Sequence, residues 1–407
     1  MRKNNFCKQL YFSLSGYRYL IILILIVSVT SCKEIPHKKE GILRISADSL
    51  LQIRYQKFLD YPIDSISIPR SYDPKTKKVF KVASKDWTSG FYPGNLWQLY
   101  KLTGKPAFKS KAMESTDYIE QEKYNDGTHD MGFKMYCSFG EGYVVTGNEK
   151  YKEVIIESAT TLVTRFNVKV GSIRSWDFNK DIWEFPVIID NMMNLELLFE
   201  ATKFSGDSTF HKVAVKHANT TLKNHFREDN SSFHVVVYDT VTGRVEDKVT
   251  HQGFNDNSSW ARGQAWGIYG FTMCYRYTGN LVYLEQARKS AEFYLKHNSL
   301  PEDGIPFWDF NDPSIPNTFK DVSAATIVAS AFVELANFTN EKAYLKYSKK
   351  VLKTLKSEAY LLPSEIEAPF ILKHSTGNWP KKDEMDVSIN YADYYFLELM
   401  LRIKNKK

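Results

Sequence analysis

Apolar residues recur every three to four positions along most of the chain, which is the period of an amphipathic α-helix. Strand-like alternation is scarce, and its clearest instance is FHVVVYD at 233–239. The pattern predicts helices over 107–121, 133–146, 149–166, 187–204, 208–225, 262–278, 281–297, 323–338, 341–357 and 386–404.

These segments alternate in polarity. Segments 149–166 and 341–357 carry many charges and one apolar face, whereas 187–199 and 262–274 are apolar on most sides. Helices of the first kind are typical of an outer layer and helices of the second kind of a buried inner layer. An open solenoid usually keeps a polar concave face. The alternation therefore predicts an all-α fold in which helix pairs close into a toroid.

A short junction separates successive helices. It reads YKLTGKPAF, YVVTGNEKY, TKFSGDSTF, YRYTGNLVY and ANFTNEKAY. Glycine, or Asn340 in the last case, follows a Thr or Ser at the end of one segment, and an aromatic residue follows in the next. Glycine is favoured just after a helix because it adopts the left-handed conformation without steric cost. The repeat predicts helical hairpins in one domain spanning 46–407.

The N-terminus has the features of an export signal. Basic residues precede the apolar run Leu20–Val29, which is short for a membrane span, and VTSC follows at 29–32. This ending resembles the lipobox of bacterial lipoproteins. The resemblance implies a signal peptide over 1–32, a lipidated Cys32, a tether over 33–45 and a periplasmic or outer-membrane location. An uncleaved anchor and an ordinary signal peptide are the alternatives.

Composition narrows the class of function. The 407 residues are 43% hydrophobic and 14% aromatic, as expected of a globular protein. The net charge of +7 falls to +3 without residues 1–32, because four of the 54 basic residues and none of the 47 acidic ones lie there. Nucleic-acid binding is therefore disfavoured. Cys137 and Cys274 lie in apolar contexts that predict buried free thiols, and no CxxC or HExxH metal motif occurs.

Asp190 is the most unusual candidate for chemistry. It lies in the apolar run IIDNMMNLELLF at 188–199, where an ionised carboxylate is costly unless it is paired, hydrogen-bonded or protonated. In a helix, Asp190 would share one side with Asn191 and Asn194, as a polar stripe facing a central cavity. A structural Asp that caps a helix or pairs with a buried Arg is an equally good interpretation of the spacing alone.

His129 and Asp130, in THDMGF, form a second candidate. They lie where a polar loop meets an apolar helix, so a helix cap is the simpler explanation of the Asp. Two acids on different inner helices could nevertheless meet across a cavity. Paired carboxylates separate their pKa values, and the more desolvated one then remains a proton donor near neutral pH.

The segment THQGFNDNSSWARGQAWGIYGF at 250–271 is a third candidate. Its Trp side chains suit the faces of sugar rings, and the Arg262 guanidinium suits a carboxylate, although a structural ion pair is the alternative for this Arg. Trp87 in DWTSGFYPGNLW and Trp176 in IRSWDF could extend a sugar site or belong to the core. The lysines of HSTGNWPKK, 374–382, could meet a sulfate or lie in a solvated loop.

Taken together, these motifs resemble glycoside hydrolase family 88, the unsaturated glucuronyl hydrolases. The resemblance runs from about Trp87 to Arg402 and includes IIDNMMNL, THQGFNDNSSWARGQAW, LPEDGIPFWDF and DVSINYADYYFLE. It implies an (α/α)6 barrel with no metal or organic cofactor. It also implies removal of a 4,5-unsaturated uronic acid from the non-reducing end of lyase-generated oligosaccharides, glycosaminoglycan fragments among them, by protonation of C4 and addition of water at C5.

The resemblance also implies roles for individual residues. Asp190 would be the main general acid and base, Asp130 its partner, and Arg262 the ligand of the uronate carboxylate. The further substrate contacts implied are Trp87, His129, Trp176, His234, Gln252, Trp260 and Trp266. An unsaturated rhamnogalacturonyl hydrolase, of the neighbouring family 105, and a non-catalytic glycan-binding lipoprotein are the alternatives. Acids buried in a helical core favour an enzyme, because binding alone does not require them.

Overall fold

The computed structural model describes residues 46–406. The predicted signal peptide, the lipidated Cys32 and the tether lie outside these described residues. Helices dominate the described chain, and they alternate between an inner and an outer layer. The inner helices are α2 (Phe91–Thr103), α4 (Glu141–Thr146) with the π-helical segment Gly132–Gly140 before it, α6 (Asn191–Ser205), α8 (Ala261–Thr278), α10 (Val322–Thr339) and α12 (Asn390–Asn405).

The inner helices form a closed ring. Each contacts the next, from α2 through the π-helical segment, α6, α8, α10 and α12 and back to α2. Helix α10 is long and apolar enough to cross a membrane by composition, with a mean hydropathy of 1.4, but 78% of that stretch is buried in the protein. It is therefore a core helix of the ring.

An outer helix packs on each inner one. The outer helices are α1 (Ala47–Asp60), α3 (Pro106–Asp117), α5 (Glu149–Val163), α7 (Ser208–Asn224), α9 (Leu281–Lys296) and α11 (Lys342–Leu355). The pair of α1 and α12 joins the two ends of the described chain, where the Tyr55 hydroxyl contacts Met400 Sδ at 3.7 Å. Six such pairs around one axis are the predicted (α/α)6 barrel.

The predicted junctions are confirmed. Gly104, Gly147, Gly206, Gly279 and Asn340 each follow a helix in the left-handed conformation, with φ between +57° and +77°. Cys137 and Cys274 are buried free thiols, also as predicted.

Two helical features differ from the sequence pattern. Helices α1 and α2 are not among the predicted segments. Helix α2 was missed because Pro93 and Gly94, two residue types that disfavour helices, lie within it. Pro93 is tolerated because it lies in the first turn, and Gly94 allows a close approach, since a Cβ there would lie 2.5 Å from the Cys137 carbonyl oxygen. The first part of predicted helix 133–146 is π-helical, a form that is often found at functional sites.

Three antiparallel sheets complete the fold. Strands β1 (Ile68–Asp73), β2 (Lys78–Val82), β8 (Ser375–Asn378) and β9 (Asp383–Ile389) form a four-stranded sheet in the order β2-β1-β9-β8. Strands β5 (Pro186–Ile188), β6 (Val235–Tyr238) and β7 (Val245–Val249) form a second sheet, with β5 and β7 on either side of β6. The short strands β3 (Phe166–Asn167) and β4 (Ser172–Ile173) pair with each other.

The strands correct two predicted helix boundaries. Residues at the start of 187–204 and 386–404 are extended, because β5 pairs with β6 and β9 pairs with β1 and β8. A short apolar run cannot distinguish a buried strand from a helix. The consequence is that β5 leads directly into α6 and β9 into α12, which fixes the position of the site described next.

Candidate active site

A cavity of about 780 Å³ lies at the end of the barrel where the strands enter the inner helices. Seven of the ten predicted site residues line it: Trp87, His129, Asp130, Trp176, Asp190, Gln252 and Arg262. The other three, His234, Trp260 and Trp266, lie behind the cavity wall. The cavity thus brings together residues that are up to 175 positions apart in the chain, from Trp87 to Arg262.

Asp190 occupies the junction between β5 and α6. It is the N-cap residue of α6 rather than a residue within a helix, and its side chain makes no capping hydrogen bond. The predicted polar stripe facing the cavity is therefore wrong. Asn191 Oδ1 accepts a hydrogen bond from Ser175 Oγ, and its Nδ2 donates to the Ile173 carbonyl. Asn194 Oδ1 accepts from the Phe133 amide. The two Asn side chains hold the barrel together, and only the carboxyl of Asp190 is left for the cavity.

Burial keeps the Asp190 carboxyl a proton donor near neutral pH. The side chain is 8% exposed, and its Oδ2 has no hydrogen-bond partner among the described residues. Desolvation, and to a lesser degree the charge of Asp130, raises the pKa of Asp190 to about 7, while Arg262 and the Trp266 indole act in the opposite direction. Half of the molecules would therefore carry the proton at about pH 7.

His234 shapes the surroundings of Asp190. Its Nδ1 accepts hydrogen bonds from the backbone amides of His251 and Gln252, at 3.0 and 3.1 Å. Burial lowers the pKa of His234 well below its ordinary value, so the ring is neutral and its hydrogen must be on Nε2. Nε2 lies 4.0 Å from Asp190 Oδ2. The ring therefore presents a donor toward the carboxyl, and it does not line the cavity itself.

Asp130 and His129 form a second polar pair. Thr128 Oγ1 donates to Asp130 Oδ2 at 2.6 Å, and His129 Nε2 lies 3.1 Å from Asp130 Oδ1. His129 Nδ1 lies 2.8 Å from the Ser175 carbonyl, which can only accept, so Nδ1 carries a hydrogen. Burial lowers the pKa of His129, so the ring is neutral, and its Nε2 has no hydrogen-bond partner among the described residues. The pair thus places a neutral imidazole and a second carboxyl group beside the cavity.

Arg262 lies in a buried ion pair, the alternative that the sequence left open. Its Nη1 donates to Asp321 Oδ2 at 2.8 Å and to the Thr376 carbonyl at 2.6 Å, and its Nη2 donates to the Gly377 carbonyl. Both terminal nitrogens of the guanidinium, which the sequence predicted to bind a substrate carboxylate, thus already donate hydrogen bonds to protein acceptors. What Arg262 offers the cavity is positive charge, and it anchors strand β8 to helix α8.

The three residues behind the wall support the others. Trp260 packs against His234, with ring centroids 4.7 Å apart and the planes tilted by 49°, and lies against the Arg262 guanidinium. Trp266 is fully buried against Phe133 and Tyr395. The resemblance predicts that His234, Trp260 and Trp266 touch the substrate, but in this structure their contacts are with other wall residues.

Several cavity residues were not singled out by the sequence. Tyr391, in the motif DVSINYADYYFLE, packs on Trp87 with ring centroids 5.1 Å apart and is only 1% exposed. His251 and Phe178 extend the wall around Trp176. Of the two adjacent lysines that the sequence offered as partners of a sulfate, Lys381 lines the cavity and Lys382 does not. Aromatic residues in apolar helices give no sign of which ring faces a cavity, so only the fold identifies them. Among residues 46–406, no cluster of three or more His, Cys, Asp or Glu side chains is suited to a metal ion.

Comparison with known proteins identifies the family. Residues 65–300 match the sequence pattern of Glycosyl Hydrolase Family 88. The chain belongs to this family. A relative called unsaturated glucuronyl hydrolase, from Formosa agariphila, is 57% identical over 395 residues, which cover 95% of this chain and 99% of that protein.

More distant relatives agree with this assignment. An unsaturated chondroitin disaccharide hydrolase from Streptococcus pneumoniae is 30% identical over 84% of this chain and 87% of its own. A crystal structure of an unsaturated glucuronyl hydrolase described as specific for heparin superposes with a TM-score of 0.85 at 42% identity, covering 88% of this chain and 96% of that one. The family 88 enzyme is therefore a glycosidase, and the non-catalytic binding protein is excluded.

The buried carboxyl should lower the stability of the enzyme. The pKa of Asp190 is about 7 in the folded state and that of an ordinary Asp is 3.8, so ionisation disfavours folding increasingly as pH rises from 4 to 7. We predict that Asp190→Asn raises the melting temperature at pH 8, by an amount equivalent to a few kcal/mol, and raises it less at pH 5. Thermal unfolding at both pH values measures this. The exposed Asp181→Asn is the control, and an equal gain at both pH values would contradict the prediction.

Proposed function

We propose that the enzyme removes a 4,5-unsaturated uronic acid from the non-reducing end of oligosaccharides by hydrating the C4=C5 bond, with Asp190 as general acid and then general base. Such ends are left by polysaccharide lyases. The observation that carries the proposal is the buried carboxyl of Asp190, which opens onto the cavity and holds its proton near pH 7.

The chemistry requires such an acid. The C4=C5 bond is part of an enol ether, whose carbon must be protonated before water can add. A carboxyl whose pKa matches the working pH combines a large protonated fraction with adequate acidity. A carboxylate in water would be ionised and unable to act. Burial of the Asp190 side chain, beside the cavity-lining Ile188, supplies the low polarity that keeps the proton on Asp190.

The steps balance around one residue. The Asp190 proton moves to C4, and positive charge develops on C5 and the ring oxygen. Water adds through its oxygen to C5 and returns a proton to the Asp190 carboxylate. The resulting hemiketal opens: its hydroxyl proton moves to the ring oxygen as the bond from C5 to that oxygen breaks, which leaves a ketone at C5 and a hemiacetal at C1. The hemiacetal then collapses to an aldehyde, and its hydroxyl proton passes to the oxygen of the next sugar, which leaves as an alcohol. One water is consumed and Asp190 ends protonated.

Asp130 has a supporting role in this proposal. Its charge raises the pKa of Asp190, and its side chain lines the same cavity beside His129. Positive charge at Arg262, with Lys85 and Lys381 nearer the mouth, favours an anionic substrate. The relatives' names suggest glycosaminoglycan fragments as substrates, and Lys381 in the lining gives a sulfate on the next sugar a partner.

Replacement of Asp190 should abolish the reaction. Asp190→Asn cannot donate a proton, so we predict at least a thousandfold loss of kcat with substrate binding retained. The measurement is the fall in ultraviolet absorbance of the C4=C5 bond on sulfated and unsulfated disaccharides prepared with chondroitin and heparin lyases. Full activity in this variant would overturn the assignment of Asp190. Binding without absorbance loss by the wild-type enzyme would overturn the proposed reaction.

Replacement of Asp130 should shift the pH profile. Because Asp130 raises the pKa of Asp190, Asp130→Asn lowers that pKa, and the alkaline fall in kcat/KM should move to lower pH. Asp383→Asn, which removes an acid at the exposed mouth, is the control and should leave the position of that limb unchanged. A limb that stays in place in Asp130→Asn would show that the two acids are not coupled.

We also propose that the enzyme is exported and anchored through a lipid on Cys32. The support is in the sequence: basic residues, the apolar run Leu20–Val29, the VTSC ending and the polar stretch at 33–45. Labelling with a fatty-acid analogue in a bacterial host should mark the wild-type protein and Cys7→Ala but not Cys32→Ala. Label retained by Cys32→Ala would contradict this proposal and leave the catalytic one untouched.

A further inference from the structure

The mouth of the cavity contains an aromatic side chain with no role so far. Phe178 lines the cavity, yet 46% of its surface is exposed to solvent. By contrast, Asp190 is 8% exposed and His129 is 4% exposed. The reacting ring must therefore lie deep in the cavity. Because that ring is a chain end, the rest of the substrate has to leave past the mouth, where Phe178 lies.

Phe178 forms an aromatic wall with its neighbours. Its ring stacks on Trp176 with centroids 4.7 Å apart and an interplanar angle of 13°. His251 contacts both rings, at 5.4 Å from Trp176 and 5.6 Å from Phe178. Trp176 and His251 also lie near His234, whose Nε2 faces Asp190. The wall thus runs from the side of the catalytic acid outward to the solvent.

The loop that carries Phe178 is held in place. The carboxylate of Asp177 pairs with Arg165 and Arg174, at 2.9 and 2.5 Å. Asn179 has a φ of +54°, and its carbonyl accepts from the amides of Ile182 and Trp183 in a tight turn. Across the mouth, Lys381 Nζ lies 6.0 Å from the Phe178 ring centroid. The ring is therefore presented in a fixed position before any sugar arrives.

We infer that Phe178 is the stacking platform for the second sugar, the one that the reaction releases. Large apolar side chains left exposed at a binding site mark contact surfaces, and an aromatic ring offers its flat face to the C–H groups of a pyranose. Among the cavity residues at the exposed mouth, Phe178 is the one with an apolar ring. The inference rests on the proposed function, because it assumes a reacting ring at Asp190.

Two substrates separate the platform from the catalytic centre. The first is an unsaturated disaccharide, and the second is the methyl glycoside of the same unsaturated uronic acid, which has no second sugar. We expect Phe178→Ala to lower kcat/KM on the disaccharide about three- to tenfold, chiefly through KM, and to change the methyl glycoside less than twofold. Phe178→Trp keeps an aromatic face and should retain most of the activity on the disaccharide.

The control is Phe80→Ala, which removes a ring that is 55% exposed on β2 and does not line the cavity. It should not change the ratio of the two kcat/KM values. An equal loss on both substrates in Phe178→Ala, or no loss on the disaccharide, would overturn the platform. If the wild-type enzyme cleaves neither substrate, the proposed function itself fails. That result is distinguishable from failure of the platform, which is seen only in Phe178→Ala while the wild-type enzyme remains active.

Discussion

The site depends on one constraint: the Asp190 carboxyl is buried away from water, and its Oδ2 has neither a hydrogen-bond donor nor a directly paired cation among the described residues. An ionised Asp190 would have few stabilising partners. No hydrogen bond reaches its Oδ2 within the described chain, and Nε2 of His234 lies 4.0 Å away. The guanidinium of Arg262, which could have neutralised it, is directed into an ion pair with Asp321 instead. The result is a carboxyl that still holds its proton near neutral pH, as the proposed protonation of C4 requires.

The barrel is stable enough to tolerate the buried carboxyl of Asp190. The closed ring of inner helices buries a large apolar core. The destabilisation caused by one buried carboxyl is small compared with the stabilisation that this core provides. Strands β5 and β9 place Asp190 and Tyr391 at the N-terminal ends of α6 and α12, where a strand on one side and a helix on the other fix the backbone. Asn191 and Asn194, which seemed to be site residues, lock α6 to its neighbours and so fix the direction of the Asp190 side chain.

The sequence predicted the parts of the structure that depend on local pattern. Helical period, left-handed glycines after helices and the alternation of polar and apolar helices were enough for the toroid, and an Asp in an apolar run was enough to single out Asp190. Pairing between distant segments was not visible in the same way. Strand β5 read as helix because only its hydrogen bonds to β6 distinguish it. The ion pair of Arg262 with Asp321 joins residues 59 positions apart, and Tyr391 and Phe178 become cavity residues only when the ring closes.

The protonation state of Asp190 tests the proposed mechanism most directly. Infrared difference spectroscopy of the wild-type enzyme against Asp190→Asn isolates the stretching band of this one carboxyl, without substrate or turnover. If Asp190 is the general acid, its carboxyl is protonated at pH 6 and titrates near pH 7. A carboxylate band already complete at pH 5 would contradict it, because Asp190 could then not supply the proton to C4.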